Sequence, residues 1–258
     1  MRVLVVNAGS SSLKLAVMDG DHQVASTTVE RWEGDDLGPI SRFVEEVDDV
    51  GAIGHRIVHG GPRLTESVHI DDGVLTYLDS IEDFAPLHNP RAVAGVRAVR
   101  QLLPAVPEVA CFDTTFHAAL PAAARTYALP QEWNERWGLR RYGFHGLSHA
   151  HAVRRGAELI NRDLPDLRVV SCHLGAGASL AAVLEGRCVD TTMGFTPVEG
   201  LVMATRSGSV DPGLLLWLLE HGGQSPASLA DVLERQSGLK GLSGTSGDLR
   251  DVLAARAP

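Results

Sequence analysis

The apolar positions along the chain follow two rhythms. Short β-type runs at 2–6, 13–18, 51–54, 108–112, 168–172 and 180–184 predict strands. Between some of them the spacing becomes helical. Asn89-Pro90 reads as an N-cap and first turn, followed by Val93, Val96, Val99 and Leu103 on one face. Ser148 is expected to cap a helix carrying Val153, Ala157 and Ile160. Asp211-Pro212 opens a helix that Gly222 closes, Ser225-Pro226 opens another stopped by Gly238, and Ser246 caps a last one. Residues 21–50 are polar and acidic, which predicts solvated turns and an exposed helix. Strands alternating with helices indicate an α/β architecture.

One pattern occurs twice. Shifted by 166 residues, 2–20 lies over 168–186, with Arg2/Arg168, Val3/Val169, Gly9/Gly175, Ala16/Ala182, Val17/Val183 and Gly20/Gly186 identical. Each copy reads strand, glycine-rich turn, strand, acidic-Gly turn. A duplicated half predicts two related domains, 1–118 and 119–258, facing each other across a cleft.

Composition narrows the function. With 258 residues and a net charge of −9, the chain lacks the basic face of a general nucleic-acid binder. The cysteines Cys111, Cys172 and Cys188 have no metal-ligand spacing and read as reduced thiols. Val3–Val6 is too short for a signal peptide's apolar core and Leu214–Leu219 too short to span a membrane, so a cytoplasmic address is expected. Of the 23 basic residues only Lys14 and Lys240 are lysines. In so Arg-biased a chain, Lys14 in a serine-rich turn suggests a compact charge reaching a phosphate.

Neither glycine turn is a P-loop or a dinucleotide turn, yet both can cradle phosphate with backbone N–H groups. In the first, Asn7, Ser10, Ser12 and Lys14 add side-chain donors. Further polar groups sit at element ends: Arg56 in GHRIVHGG, His88 in APLHNP, Asp113 in CFDTTFH, His145 in YGFHGLSH and Arg206 in ATRSGSVDP. Individually each has a structural alternative. Arg56 can be a buried structural arginine, Asp113 a helix cap, and the i,i+4 pairs His55/His59 and His145/His149 zinc ligands. Together they fit phosphoryl transfer to a small anionic acceptor.

These segments, with NAGSSSLK, HLGAGAS, DTTMGFTPVEG and SGLKGLSGTSGDLRDV, resemble the acetate kinase family in order from residue 7 to residue 252. The resemblance implies two actin/Hsp70/sugar-kinase-like (RNase H-like) domains, the second incomplete. It implies reversible formation of acetyl phosphate and ADP from acetate and ATP, with Mg2+ or Mn2+, in a homodimer. It also assigns roles. Asn7 helps hold the metal, while Lys14, Ser10 and Ser12 lie on the nucleotide phosphate side. Arg56 and His88 serve the acceptor, and Val58, Leu87, Phe144 and Pro197 enclose its acyl tail. Asp113 is the essential carboxylate, and His145 and Arg206 stabilise the transferring phosphoryl group. His173, Leu174, Gly175, Ala176 and Gly177 form the second phosphate turn; Asp248, Leu249 and Arg250 touch the adenosine.

The chain departs from that family at three places. Ala176 stands where asparagine is usual, Ser209 where an acidic residue is usual, and the stretch from the first hairpin to Arg56 is short. Family members also continue for about another hundred residues, with a further glycine turn and a metal-binding glutamate. A second reading is therefore a remnant that binds a small anion or a protein partner without catalysis, with apolar helix faces at 213–221 and 228–235 left uncovered. A kinase for propionate or butyrate is a third.

Overall fold

The computed structural model describes residues 1–9, 12–32, 34, 36–47 and 49–255. The chain divides into two compact units, Met1–Ala118 and Ala119–Pro258.

In the first unit, strands β1 (Arg2–Ala8), β2 (Ser12–Asp19), β3 (His22–Glu30), β4 (Val50–Ile57), β5 (Val68–His69) and β6 (Glu108–Phe112) form one sheet in the order β3-β2-β1-β4-β6-β5. β1, β4 and β6 run parallel; β2 and β3 continue antiparallel from β1. Period-2 alternation places Leu4, Val6, Leu13, Leu15 and Val17 on one buried face. That face packs on Ile40 and Phe43 of helix α1 (Gly38–Glu45) and on Val99 of α3 (Asn89–Leu102). Ile57, Ala110 and Phe112 continue the core against Leu75 and Leu78 of α2 (Asp72–Ser80) and Val93 and Val96 of α3.

Two expectations need correction here. The acidic 21–50 stretch contains β3, an edge strand with no buried residue, so burial leaves almost no hydrophobic signal in it. Its helix, α1, is not simply exposed, because Ile40 and Phe43 are core residues. Asn89 is also not the cap of α3. The cap position is His88, and the buried Asn89 amide accepts from the His59 N–H (3.1 Å) and donates to the His59 carbonyl (3.0 Å). It thereby ties the turn after β4 to the start of α3.

The second unit contains α4 (Ala122–Arg125), α5 (Gln131–Trp137), α6 (Gly146–Leu159), an antiparallel sheet β7-β8-β9 (Arg168–Leu174, Ala178–Leu184, Arg187–Thr191) and helices α7 (Pro212–His221), α8 (Pro226–Asp231), α9 (Gly238–Ser243) and α10 (Leu249–Ala254). The internal echo conceals a register slip. Ala8 pairs with Leu13 at the first turn, whereas Leu174 pairs with Ala178 at the second. A slip of one residue turns a strand's side chains to the other face. β7 therefore aligns Val169, Ser171 and His173 with Val183, Ala181 and Ser179, and leaves Val170 and Leu174 exposed where Leu4 and Ala8 are core.

Asp211 and Ser225 cap α7 and α8 through their side chains as expected. The last helix is capped by Asp248 rather than Ser246, whose Oγ instead accepts from the Asp248 N–H. On α7, Leu214, Leu216 and Trp217 are exposed, whereas Leu229 of α8 is buried, so the 228–235 segment does not present an open apolar face. Among the described residues, no helix is long and apolar enough to cross a membrane.

Candidate active site

In the first unit the polar residues converge at one end of the parallel strands. The β1–β2 register pairs Asn7 with Lys14, and the β1–β4 register, pairing Val6 with His55, brings Arg56 beside Asn7. Arg56 pairs with Cys111, so Asp113, two residues on, shares the same face. Lys14, Asn7, Arg56 and Asp113 thus lie on one face at the carboxyl ends of β1, β4 and β6, where open α/β sheets bind ligands.

Their contacts are specific. Arg56 Nε and Nη2 donate to Asp113 Oδ1 and Oδ2 at 3.1 and 2.6 Å, and Nη1 donates to Asn7 Oδ1 at 3.0 Å. The Asp113 side chain is 3% exposed and that of Arg56 is 32% exposed. Burial works to lower the Arg56 pKa, but the hydrogen bond and charge of Asp113 outweigh it and hold the guanidinium above its usual value. Among the described residues, one N–H on each Nη remains for a ligand carboxylate. Asp113 is not a helix cap: the short turn Thr115–His117 begins at Thr114 with no side-chain cap.

Of the other expected acceptor residues in this unit, Val58 follows β4 and is buried, His88 is half-buried at the start of α3, and Leu87 is exposed. Ser12 begins β2 and Lys14 is exposed on it; Ser10 lies outside the described residues. His59 Nδ1 accepts the Gly61 N–H at 2.8 Å, and burial pushes its pKa down to about 3.

The second unit holds a histidine–serine cluster. His145 precedes α6 in the left-handed region (φ 59°), a strained conformation for a side chain of its kind. His145 Nδ1 lies 2.9 Å from Ser179 Oγ, and His149 Nε2 lies 2.8 Å from the same oxygen. His149 Nδ1 lies 2.9 Å from Ser171 Oγ. The His173 ring stacks on His145 at 4.0 Å, and its Nδ1 is 2.9 Å from Ser148 Oγ. Ser148 is therefore not the expected cap but a ring anchor inside α6. A Cβ on Gly177 would lie 3.3 Å from His145 Nε2 and 3.4 Å from Arg206 Nη1, so this glycine admits both groups to the turn. Arg206 Nη1 also donates to the Pro197 carbonyl at 3.3 Å, and burial lowers its pKa. Phe144 is fully buried beside His145.

A cavity of ≈ 600 Å³ brings together Leu174, Gly175 and Ala176 of the second glycine turn with Asp248, Leu249 and Arg250, walled by Val202, Met203 and Leu239. Arg250 donates to Asp248, whose carboxyl is held down at about 2. His173 is not in this lining; it belongs with His145. At the two substituted positions, the Ala176 carbonyl accepts from the Ala204 N–H, and Ser209 Oγ accepts from the Gly200 N–H. The histidine pairs do not gather metal ligands: among the described residues, no three His, Cys, Asp or Glu side chains could hold an ion together.

In sequence Ser148 reads only as a cap, and nothing marks Ser171 or Ser179 as site residues. Ser148 and His149 lie in the same YGFHGLSH motif, but Ser171 and Ser179 become visible only once the slipped register aligns them. The frame of the 192–199 loop likewise has no local signal in the sequence. Tyr127 OH and Arg141 Nη2 both donate to Glu199, while Arg141 Nη1 donates to the Thr192 and Met193 carbonyls. A Cβ at Gly194 would overlap the Glu199 carboxylate and the Tyr127 hydroxyl. Gly194→Ala is expected to cost about 1–3 kcal/mol by overpacking, read as a lowered thermal midpoint; an unchanged midpoint would show that the frame yields freely.

Acid should weaken the fold through two histidines. Burial lowers His59 to about 3, and burial followed by the neighbouring His173 lowers His149 to about 4, against 6.5 for an ordinary imidazole. Below about 6.5 the unfolded chain takes up protons that the folded chain refuses. The histidine contribution is thus complete above about 6.5 and declines toward 4 and 3. Urea midpoints should fall between about pH 7 and pH 5; a flat profile there would contradict the neutral assignments.

Residues 39–258 match the model of the acetokinase family. The acetate kinase of Thermotoga maritima is 42% identical over 287 residues, covering 98% of this chain and 71% of that protein. Porphyromonas gingivalis acetate kinase has a TM-score of 0.88 at 34% identity, covering 98% of this chain and 72% of that one. A propionate kinase from Francisella tularensis has a TM-score of 0.89 at 34% identity, covering 100% and 74%. The mixed α/β architecture is thus the actin-like kinase fold.

Proposed function

The chain belongs to the acetokinase family, and from that premise we propose that it transfers the terminal phosphoryl group of ATP to acetate, reversibly and by direct in-line displacement. A carboxylate oxygen forms the new bond to the γ-phosphorus, and the bond to the bridging oxygen breaks. ADP leaves with the electron pair. The observation that carries this reading is the Asn7–Arg56–Asp113 cluster at the strand ends. A planar guanidinium fixed on one side by a carboxylate still has N–H groups for a second one.

Arg56 and His88 bind the acceptor carboxylate, and Asp113 orients the Arg56 guanidinium. Val58, Leu87, Phe144 and Pro197 limit the acyl tail. His145 and Arg206 donate to the equatorial oxygens, where negative charge spreads in the transition state. Lys14, Ser10, Ser12 and His173 to Gly177 serve the phosphates. The cavity carrying Asp248, Leu249 and Arg250 takes the nucleoside. Magnesium or manganese prefers oxygen ligands, and the Asn7 amide and Asp113 carboxylate supply them on one face, so these residues would hold the ion with the phosphates. When bound, it offsets charge on the β- and γ-phosphates.

Acetate is favoured over propionate because the curated relatives matched at 42% identity are acetate kinases. One methylene in such a pocket discriminates by about 10–200-fold. Hydroxylamine trapping of acyl phosphate, run in parallel on acetate, propionate and butyrate, tests the reading. Hydroxamate that depends on both ATP and acetate is expected. Its absence with all three acids would favour the second reading, binding of a small anion or a protein partner without catalysis.

A further inference from the structure

We propose that Ser179 is a positioning residue for the reaction assigned above: held by His149 and Ser171, its hydroxyl donates to His145 Nδ1 and keeps the proton of neutral His145 on Nε2.

The groups form a chain within the second unit: Ser171 Oγ, His149 Nδ1 and Nε2, Ser179 Oγ, His145 Nδ1, with successive distances of 2.9, 2.8 and 2.9 Å. Ser179 and His149 have no exposed surface and Ser171 is 6% exposed. Burial keeps His149 neutral, so one of its nitrogens donates and the other accepts. Each serine has a single proton to give, and among the described residues these imidazole nitrogens are the only partners of the two hydroxyls.

Three arrangements can be drawn. If His149 donates from Nδ1 to Ser171, the Ser171 proton has no acceptor at a buried site. If both histidines donate to Ser179, the Ser179 proton has none. Leaving a buried donor unmade carries its full desolvation cost. In the third, Ser171 donates to His149 Nδ1, His149 Nε2–H donates to Ser179, and Ser179 donates to His145 Nδ1. Every hydroxyl proton is then used. His145, whose Nδ1 must accept, carries its own proton on Nε2. That nitrogen is the one facing the Gly177 turn and Arg206. The stack on His173, itself anchored by Ser148, fixes the ring plane. His145 is thus preset as a donor toward anionic oxygen before any ligand arrives, without needing to be a cation.

The test uses the full chain labelled with 15N-histidine, and long-range 1H–15N correlation reads the His145 tautomer directly. Wild type should show Nε2–H with an accepting Nδ1. Ser179→Ala should shift His145 toward a mixed or Nδ1–H population, and kcat should fall on the order of tenfold or more with KM for acetate little changed. Ser171→Ala removes the far end of the chain and touches neither His145 nor Ser179, so it should move the same signal more weakly. If Ser179→Ala does not fold, the Ser171→Ala signal decides. A wild-type His145 protonated on Nδ1, or an Nε2–H signal unmoved in the variants that fold, would overturn the proposal. The tautomer needs no turnover to be read. A chain without kinase activity would therefore defeat the proposed reaction while the spectra still judged the relay.

Discussion

Asp113→Asn is expected to remove most turnover, on the order of 100- to 1,000-fold, while the protein stays folded. The substitution keeps size and shape and removes one negative charge. Asp113 is buried and both its oxygens accept from Arg56. An asparagine oxygen can still accept one of those bonds, and Arg56, at 32% exposure, can return its other N–H to water. The fold therefore loses one charge-assisted bond of the pair, about 1.5–3 kcal/mol, and the buried asparagine N–H donors facing Arg56 add about 1–3 kcal/mol. Catalysis suffers separately, because the guanidinium loses the partner that fixes its plane and the strand-end cluster loses its one carboxylate. Hydroxamate formation and a thermal scan on the same sample check this. Near-normal turnover in a folded variant would remove Asp113 from the reaction and leave it a structural partner of Arg56.

The legible part of the molecule was the part written in local pattern. Val3–Val6 and Leu13–Val17 announce strands because one face is core, and Asp211 and Ser225 announce caps because the bond they make is to their own helix. β3 leaves no such pattern, because an edge strand is held by backbone pairing to β2 and not by burial. Asn89 and Ser148 resemble caps in sequence for a related reason. Each has capping chemistry and the right place, but tertiary partners, His59 and His173, claim the side chain. The repeated hairpin was visible as sequence, yet its one-residue slip was not, because register is a relation between strands. That slip is what places Ser171 opposite Ala181 and His173 opposite Ser179, and so gathers the histidine–serine cluster. Arg56 and Asp113 were found by their position at strand ends and by family resemblance; their direct pairing, 57 residues apart in sequence, belongs to the fold.

Arg56→Ala should weaken both the fold and acceptor binding, and Arg56→Lys should separate the two effects. Removing the guanidinium leaves Asp113 buried with its charge unpaired, a loss of about 3–5 kcal/mol before discounting for water entering the vacated, partly exposed space. Acceptor affinity should fall at least about tenfold, since a charge-assisted hydrogen bond to a carboxylate is worth about 1.5–3 kcal/mol. Lysine restores a positive charge near Asp113, so the urea midpoint should recover in part. It cannot bridge Asp113, Asn7 and a ligand at once, because a compact ammonium lacks the planar fork, so KM for acetate should stay high. The double variant Arg56→Ala/Asp113→Asn gives the decisive comparison. If the unpaired carboxylate is the source of instability, neutralising it restores much of the stability lost in Arg56→Ala, and the two substitutions are strongly non-additive. Additive losses would mean that the pair is not what holds these strand ends together, and an unchanged KM in Arg56→Ala would mean that the carboxylate docks elsewhere.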